Sequence, residues 1–401
     1  MFRIYLILAM MAGHTIVCDA QITAPKFGDG IRITAADSSF YMKAGFRFQT
    51  LYTGEWRKNE GEPSFDHISH SFLIRRSRLK FDGWVLSPKV AFKAEIALTN
   101  RDQSGGNAPE FRNAPNTILD ASIEYKFTKG FSAQFGQRKL PGNRERVISS
   151  GNLQLVDRSL LNSRYNIDRD VGLQFKTNHH LGGQVYMKEV FAISQGEGRN
   201  VTAGNFGGLS YAARAEIFPF GYFGKKGDYV GGATFQEERP KLSIGASYEF
   251  NNNAVRERGQ LGSFIQSEDG TYFGRDIRTL FIDAILKYQG FSLMAEYANK
   301  NVSEDDPFVF DDENNLIGTF FTGTGFNLVA GYHFDKNYEL TVRYTTINPM
   351  EGVANEEEEY TFGFSKYFVT HKLKIQTDLI FRNTVASNDK IFWRFQTDLH
   401  F

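Results

Sequence analysis

The chain has 401 residues and a formal net charge of zero, because 46 basic side chains balance 46 acidic ones. This balance gives no reason to expect a nucleic acid as partner, since proteins that bind nucleic acids present a basic surface. Aromatic residues make up 15% of the chain, with 38 Phe and 18 Tyr, whereas Cys occurs once.

The N-terminus has the pattern of a secretory signal. Arg3 precedes the apolar run "IYLILAMMAG" (4–13), and "CDA" (18–20) places small residues at the −3 and −1 positions of a cleavage site before Gln21. We therefore expect a signal peptide over 1–20 and a periplasmic N-terminal segment over 21–38. Cleavage removes Cys18, so the mature chain is expected to form no disulfide and to hold no cysteine-bound metal or other cofactor. Beyond the signal, no run approaches the ~18 apolar residues that a transmembrane helix needs.

From residue 39 onward the chain alternates between apolar and polar residues with a period of two, which indicates half-exposed strands. Tight turns such as "TKG" (128–130) and "DKN" (335–337) alternate with long polar loops over 100–116, 139–168, 251–276 and 301–321. The pattern predicts an all-β protein of about sixteen strands, each of nine to thirteen residues. Two segments, 183–194 and 276–288, carry the weakest strand signal, and the 218–239 connection is longer than the other turns.

Two architectures fit many half-apolar strands, namely a soluble all-β protein and a transmembrane barrel. A soluble propeller would repeat a motif every 40–50 residues, and a soluble sandwich of this size would need linkers between domains. Neither feature is visible in the sequence. The last strand, "IFWRFQTDLHF" (391–401), alternates in the same way and ends on Phe401, like the strand by which outer-membrane barrels are recognised for assembly. We therefore predict a transmembrane antiparallel barrel over 39–401 in the outer membrane of a bacterium.

The stretch "SFLIRRSRLKFDGW" (71–84) mixes four basic residues with apolar ones. Because side chains alternate across a strand, Arg76, Arg78 and Lys80 share the face toward the lumen, while Leu79 and Arg75 fall on the lipid side. An arginine on the lipid side is tolerable only near the outer interface, where its head group reaches water. Further basic residues on predicted lumen faces are Lys93, Lys126 and Arg138.

The segment 139–168 lies between the fifth and sixth predicted strands and is too apolar for a loop that hangs in solvent. We interpret it as an inward-folded constriction loop that brings Lys139, Arg144 and Arg146 opposite the basic row. Rings of Arg and Lys select anions in pores, which predicts an anion pathway. The alternative is that the lumen cations only pair with wall carboxylates, for which the candidates are Asp82, Glu95, Asp120 and Glu124.

The motif at 71–84, the segment "GQRKLPGNRERVISSGNLQLVDRSLLNSRYNIDRDVGLQF" and the aromatic last strand together resemble the phosphate-selective porins O and P, in the form found across Bacteroidetes-type bacteria. This resemblance implies a sixteen-stranded trimeric barrel in which an arginine ladder and a lysine of the third loop collect phosphate. The matching positions are Arg76, Arg78 and Lys80 for the ladder, with Lys139 as the nearest loop lysine.

The function that we predict is passive diffusion of small anions, phosphate or related oxyanions, through a basic lumen. The alternative is a general or sugar-oriented porin without phosphate selectivity. An enzyme is not expected, because His333 and His400 have no serine and acid partners in the pattern. A barrel with a plugged lumen and a structural role would be distinguished by its lack of conductance.

Overall fold

The computed structural model describes residues 20–401 except 60, 61, 63, 106, 107 and 203. The predicted signal peptide at 1–20 therefore lies almost entirely outside the described residues. Within them, no helix is both long enough and apolar enough to cross a membrane.

The chain consists of strands joined by short helical turns. The strands are β1 (Gln21–Thr23), β2 (Ile31–Thr34), β3 (Phe40–Lys58), β4 (Phe65–Val85), β5 (Ser87–Ala97), β6 (Ile118–Lys126), β7 (Phe131–Lys139), β8 (Arg169–Gly182), β9 (Val185–Ser194), β10 (Ser210–Phe218), β11 (Lys241–Ala254), β12 (Arg275–Tyr288), β13 (Phe291–Val302), β14 (Phe308–Phe310), β15 (Leu316–Thr319), β16 (Gly323–Phe334), β17 (Tyr338–Pro349), β18 (Glu357–Val369), β19 (Leu373–Thr384) and β20 (Ser387–His400). The α-helices are α1 (Asn100–Gln103), α2 (Arg144–Val147) and α3 (Leu160–Tyr165). The 3₁₀ turns cover Pro109–Phe111, Ser150–Asn152, Gly224–Tyr229 and Ser303–Asp305.

Sixteen of these strands, β3–β13 and β16–β20, form one closed antiparallel barrel. Each pairs with its neighbour in sequence, and β20 closes the ring on β3 with Trp393 opposite Gly54. The two weak segments are strands β9 and β12 of this ring. The predicted barrel is thus confirmed. The remaining strands lie outside the ring, since β14 and β15 pair only with each other and β1 pairs with β2.

The two ends of the barrel differ. At one end, the loop end, long connections such as 98–117, 140–168 and 255–274 join the strands. At the other, the turn end, most connections are tight, as between Val85 and Ser87 or between Tyr288 and Phe291. The exception is the 22-residue segment 219–240, which joins β10 to β11 at the turn end. Outer-membrane barrels direct short turns to the periplasm and long loops outward, which orients the chain.

Aromatic side chains mark two levels on the outer face. Phe40 stacks beside Phe92 near the turn end, and Tyr52 contacts Phe72 and Trp393 toward the loop end. From Phe40 to Tyr52 the strand rises about 40 Å, or about 30 Å in height at a tilt near 40°, the thickness of the hydrocarbon layer. The strands β3 and β4 are longer than expected, with 19 and 21 residues, because their hairpin continues above the upper aromatic level.

The N-terminal segment joins the wall at the turn end. Strand β2 pairs with β3 from Ile31 opposite Ala44 to Thr34 opposite Tyr41. The last strand ends just above it, where Phe401 and Phe46 exchange backbone hydrogen bonds of 3.0 and 2.9 Å. Strand β2 thereby extends the edge of β3 that β20 leaves uncovered at the barrel seam.

Candidate functional site

The 140–168 loop is fastened to inward-facing side chains on one side of the barrel. Arg144 of the loop donates to Asp283 on β12 at 2.9 Å, and Tyr165 donates through its hydroxyl to the backbone carbonyl of Thr324 on β16 at 2.8 Å. Further along, Lys374 of β19 donates to the carbonyl of Leu153 at 2.8 Å. The loop therefore spans the inner face of the wall from β12 to β19.

The 219–240 segment approaches the same loop from the turn end. Its Gly231 donates through the backbone N–H to the carbonyl of Asn152 at 2.7 Å, and the Asn152 amide donates to the carbonyl of Tyr229 at 3.3 Å. Lys287 of β12 donates to the carbonyl of Val230 at 2.6 Å. The segment is thus held both by the loop above it and by the wall.

A lysine within an aromatic cluster anchors the start of this segment. The Lys188 ammonium on β9 pairs with Asp228 at 2.7 Å and lies 4.6 to 5.1 Å from the ring centres of Phe218, Tyr222 and Tyr229. Each cation–π contact of a partly desolvated ammonium contributes about 0.5–2 kcal/mol. Between the loop, the segment and β12 to β16, the cavity measures only about 20 Å³, roughly room for one water. This side of the barrel is packed.

Open space lies on the opposite side, along β4 to β10, in three cavities. The outer cavity measures about 530 Å³ and the inner one about 670 Å³, and between them is a throat of about 140 Å³. The outer cavity and the throat share Arg78, Arg146, Arg158 and Arg169 in their walls. The throat and the inner cavity share Arg138, Lys139 and Val147. The three cavities therefore follow one another from the loop end to the turn end.

Basic residues dominate all three walls. The outer cavity has ten arginines against four carboxylates; the arginines are Arg75, Arg76, Arg78, Arg101, Arg146, Arg158, Arg169, Arg199, Arg382 and Arg394. The throat has eight basic residues against two carboxylates; the basic ones are Arg78, Lys80, Lys93, Arg138, Lys139, Arg146, Arg158 and Arg169. The inner cavity has eight against three; the basic ones are Lys126, Lys129, Arg138, Lys139, Lys176, Lys188, Arg214 and Lys226.

Several of the predicted lumen cations do pair with wall carboxylates. Lys93 lies 3.0 Å from Asp120, and Arg138 lies 3.3 Å from the same carboxylate. Arg78 lies 3.0 Å from Glu95, which is also 3.7 Å from Lys80. Pairing and lining therefore coexist, because each carboxylate is shared by more than one cation.

Lys139 and Arg146 lie at the narrowest part. The Lys139 ammonium donates to the carbonyls of Arg146 and Ile148 at 2.7 and 3.2 Å, which leaves its charge without a carboxylate partner among the residues described. Arg146 pairs with Asp168. Lys126, in contrast, is exposed at the wide inner end and donates to the carbonyl of Pro88 at 3.4 Å.

The structure separates Arg144 from the three cavities. Its side chain is fully buried between Glu216 at 3.0 Å and Asp283 at 2.9 Å, and it lines none of them. The sequence gave no sign of this, because the two carboxylates come from β10 and β12, distant strands whose faces meet the loop only in the folded barrel. Arg144 anchors the loop rather than lining the open space.

Arg75 also differs from the prediction, which was wrong to place it on the lipid side. The register between β3 and β4 shifts here, since Gln49 lies opposite Arg76 while Thr50 lies opposite Ile74. A bulge adds one unpaired residue and redirects its side chain. Arg75 consequently points inward and lies 3.1 Å from Asp157, as its neighbour Arg76 does at 3.4 Å. It sits three residues below Phe72, at a depth where a lipid-facing arginine would be costly.

Other lining residues were not singled out from the sequence. Arg382 and Arg394 occupy inward positions of β19 and β20, in phase with Asp378 and Gln396, so the alternation held a usable signal. Arg101 and Arg199 come from loops, where no periodicity assigns a direction. Among the described residues, no group of three or more His, Cys, Asp or Glu side chains is arranged to hold a metal ion.

The family model for "Phosphate-selective porin O and P" matches residues 43–390. The chain belongs to this porin family. It is therefore a porin of the bacterial outer membrane, as predicted. The family consists of channel proteins.

Solved structures with the same fold are distant in sequence. The porin is similar to the outer-membrane channel DcaP of Acinetobacter baumannii at 12% identity and a TM-score of 0.53, covering 92% of this chain and 99% of the other. It is also similar to an anion-selective porin from Comamonas acidovorans at 10% identity and a TM-score of 0.51, covering 90% and 100%. A loop-deletion mutant of OmpT from Vibrio cholerae gives 11% identity and a TM-score of 0.51, covering 90% and 99%. No curated protein matches the sequence.

Proposed function

We propose that this porin conducts small anions, phosphate and related oxyanions among them, through the outer cavity, the throat and the inner cavity in series. The observation that carries the proposal is the excess of basic over acidic residues in all three walls. The 140–168 loop is the constriction in this proposal, because Lys139 at its start and Arg146 and Arg158 within it line the throat. Arginine suits oxyanions because its planar fork donates two parallel hydrogen bonds.

The arrangement provides a route without a deep trap. Each throat carboxylate is shared among several cations, so a passing anion meets partly neutralised positive charge in successive positions. Conduction requires binding strong enough for entry and weak enough for release. The phosphate preference has its support in the family description, and the Comamonas relative named as anion-selective supports the wider anion preference.

The test replaces three throat lysines together by glutamine, namely Lys80, Lys93 and Lys139. In a planar bilayer with a salt gradient, the wild type is expected to show an anion-selective reversal potential. The triple variant should lower the anion-to-cation permeability ratio by about threefold or more, because charges in a narrow pore are poorly screened. Lys366→Gln is the matched control, since that ammonium lies 3.8 Å from the ring centre of Tyr338 and lines none of the three cavities.

A general or sugar-oriented porin remains the alternative, and phosphate competition separates the two. Added phosphate should reduce the chloride current of the wild type if oxyanions bind in the passage. A current that is insensitive to phosphate, or a cation-selective reversal potential, would contradict the proposal. Only Phe131 and Tyr229 supply aromatic rings to the described walls of the three cavities, which gives a sugar little surface to stack on.

We further propose that the porin is a homotrimer inserted by the barrel-assembly machinery, in contact with outer-membrane lipid. OmpT of Vibrio cholerae, described in a trimer form, shares the fold at 12% identity and a TM-score of 0.50. Crosslinking in intact membranes tests the oligomer.

Removal of Phe401 is expected to lower the amount of assembled porin in the outer membrane severalfold. The residue closes the seam through two backbone hydrogen bonds with Phe46, and its ring lies 6.0 Å from the Phe46 ring. Phe401→Tyr keeps the ring and the backbone bonds and serves as the control. Equal surface amounts of the truncated and full-length chains, measured by immunoblot of outer-membrane fractions, would refute this role.

A further inference from the structure

A carboxylate of the 140–168 loop occupies the most arginine-rich part of the outer cavity. The two oxygens of Asp157 lie 3.1 Å from Arg75 and 3.4 Å from Arg76. The arginine side chains are 13% and 4% exposed, and the carboxylate is 22% exposed. Asp157 therefore remains open to the cavity while the guanidinium groups behind it are largely buried.

Both partners of this contact are held in place by the fold. The bulge between β3 and β4 turns Arg75 and Arg76 toward the same carboxylate. On the loop side, Arg343 of β17 donates to the backbone carbonyl of Asp157 at 2.9 Å, and the N–H of Val156 donates to Asp378 at 3.3 Å. The loop backbone is thus fixed, whereas the side chain of Asp157 needs only a rotamer change to leave the pair.

We propose that Asp157 is a tethered competitor for the Arg75–Arg76 pair, and that it makes the passage favour doubly charged oxyanions over monovalent anions. This inference rests on the proposed anion conduction. An anion that takes the place of Asp157 must offer the pair more than a single carboxylate does. We call this contact the valence filter.

The physical basis is a difference between two exchanges. Chloride carries one charge and cannot bridge two guanidinium groups with separate oxygens, so its exchange with Asp157 loses hydrogen bonds. A dianion such as sulfate or hydrogen phosphate has twice the charge at the same distance and oxygens for both arginines. Specificity is a difference of affinities, and a built-in competitor penalises the weaker ligand more than the stronger one.

The experiment compares the wild-type porin with Asp157→Asn in planar bilayers, using chloride and sulfate as probes. Sulfate is a dianion at all working pH values, so charge is tested apart from phosphate chemistry. Asparagine keeps the shape but not the charge, and we expect the chloride conductance to rise. The sulfate-to-chloride permeability ratio should fall by about threefold, the size of change that partly exposed ion pairs produce.

Two further variants make the result interpretable. Asp157→Glu keeps the charge and should retain the wild-type ratio, while Asp312→Asn removes an exposed carboxylate from an outer loop and should change nothing. If Asp157→Asn does not insert, Arg75→Gln replaces it and should weaken block of the chloride current by sulfate by about threefold. An anion-selective channel whose ratio is unchanged in Asp157→Asn overturns the valence filter and leaves the proposed function intact. A wild type without anion preference removes the proposed function itself, and the filter with it.

Discussion

Replacing Arg144 by methionine is expected to release one side of the 140–168 loop and to destabilise the barrel by about 3–5 kcal/mol, the cost of removing one partner from a buried ion pair. The change leaves Asp283 and Glu216 with Arg214 as the single arginine between them. It also removes the hydrogen bond of 2.9 Å from Arg144 to Ser243 on β11. A loop that is no longer fixed at its start should let the throat fluctuate, so single-channel current is expected to be larger and noisier.

The measurements are urea unfolding in lipid vesicles and single-channel recording. Arg164→Met is the matched control on the same loop, because Arg164 is 35% exposed and its ion pair with Glu357 lies at the rim. Exposed pairs contribute about 0–1 kcal/mol, so this control should unfold near the wild-type urea concentration. If both variants unfold together and conduct alike, Arg144 is not the anchor of the loop.

The alternation of the sequence was sufficient to predict the barrel, because a closed sheet between lipid and water leaves each residue only two directions. The basic row at Arg76, Arg78 and Lys80 follows from the same rule, and all three line the described cavities. The rule fails where the register shifts. At Arg75 a single bulge reverses the direction of the side chain, and no feature of the local sequence announces it.

Loop residues escape prediction for a different reason. Arg144 and Lys139 are both basic residues at the start of one loop, yet the first is buried against two carboxylates and the second lines the throat. Their roles depend on which wall strand each one meets, and that is decided by the closure of the whole barrel. The length of the 219–240 connection was visible in the sequence, but not its contact with the 140–168 loop.

Replacing residues 221–238 by a short turn is expected to open a second path and about double the single-channel conductance, since two parallel routes add their conductances. The segment fills the turn end beneath the loop, where Gly231 and Tyr229 contact Asn152. Without it the cavity of about 20 Å³ between loop and wall would join the periplasmic side. The new path would be lined by residues that include Glu145 and Ser292 rather than by the basic wall. Anion selectivity should consequently fall while conductance rises.

A point variant separates loss of the segment from loss of its charges. Lys226→Gln removes a basic residue from the inner cavity but leaves the segment in place, so it should lower anion selectivity slightly without raising conductance. The replacement variant must raise conductance even when Lys129 and Lys176 remain to attract anions into the inner cavity. An unchanged conductance in the replacement variant would mean that the 140–168 loop closes the β11–β19 side without support from below. In that case the segment acts only on the shape of the inner cavity, and the throat alone determines the current.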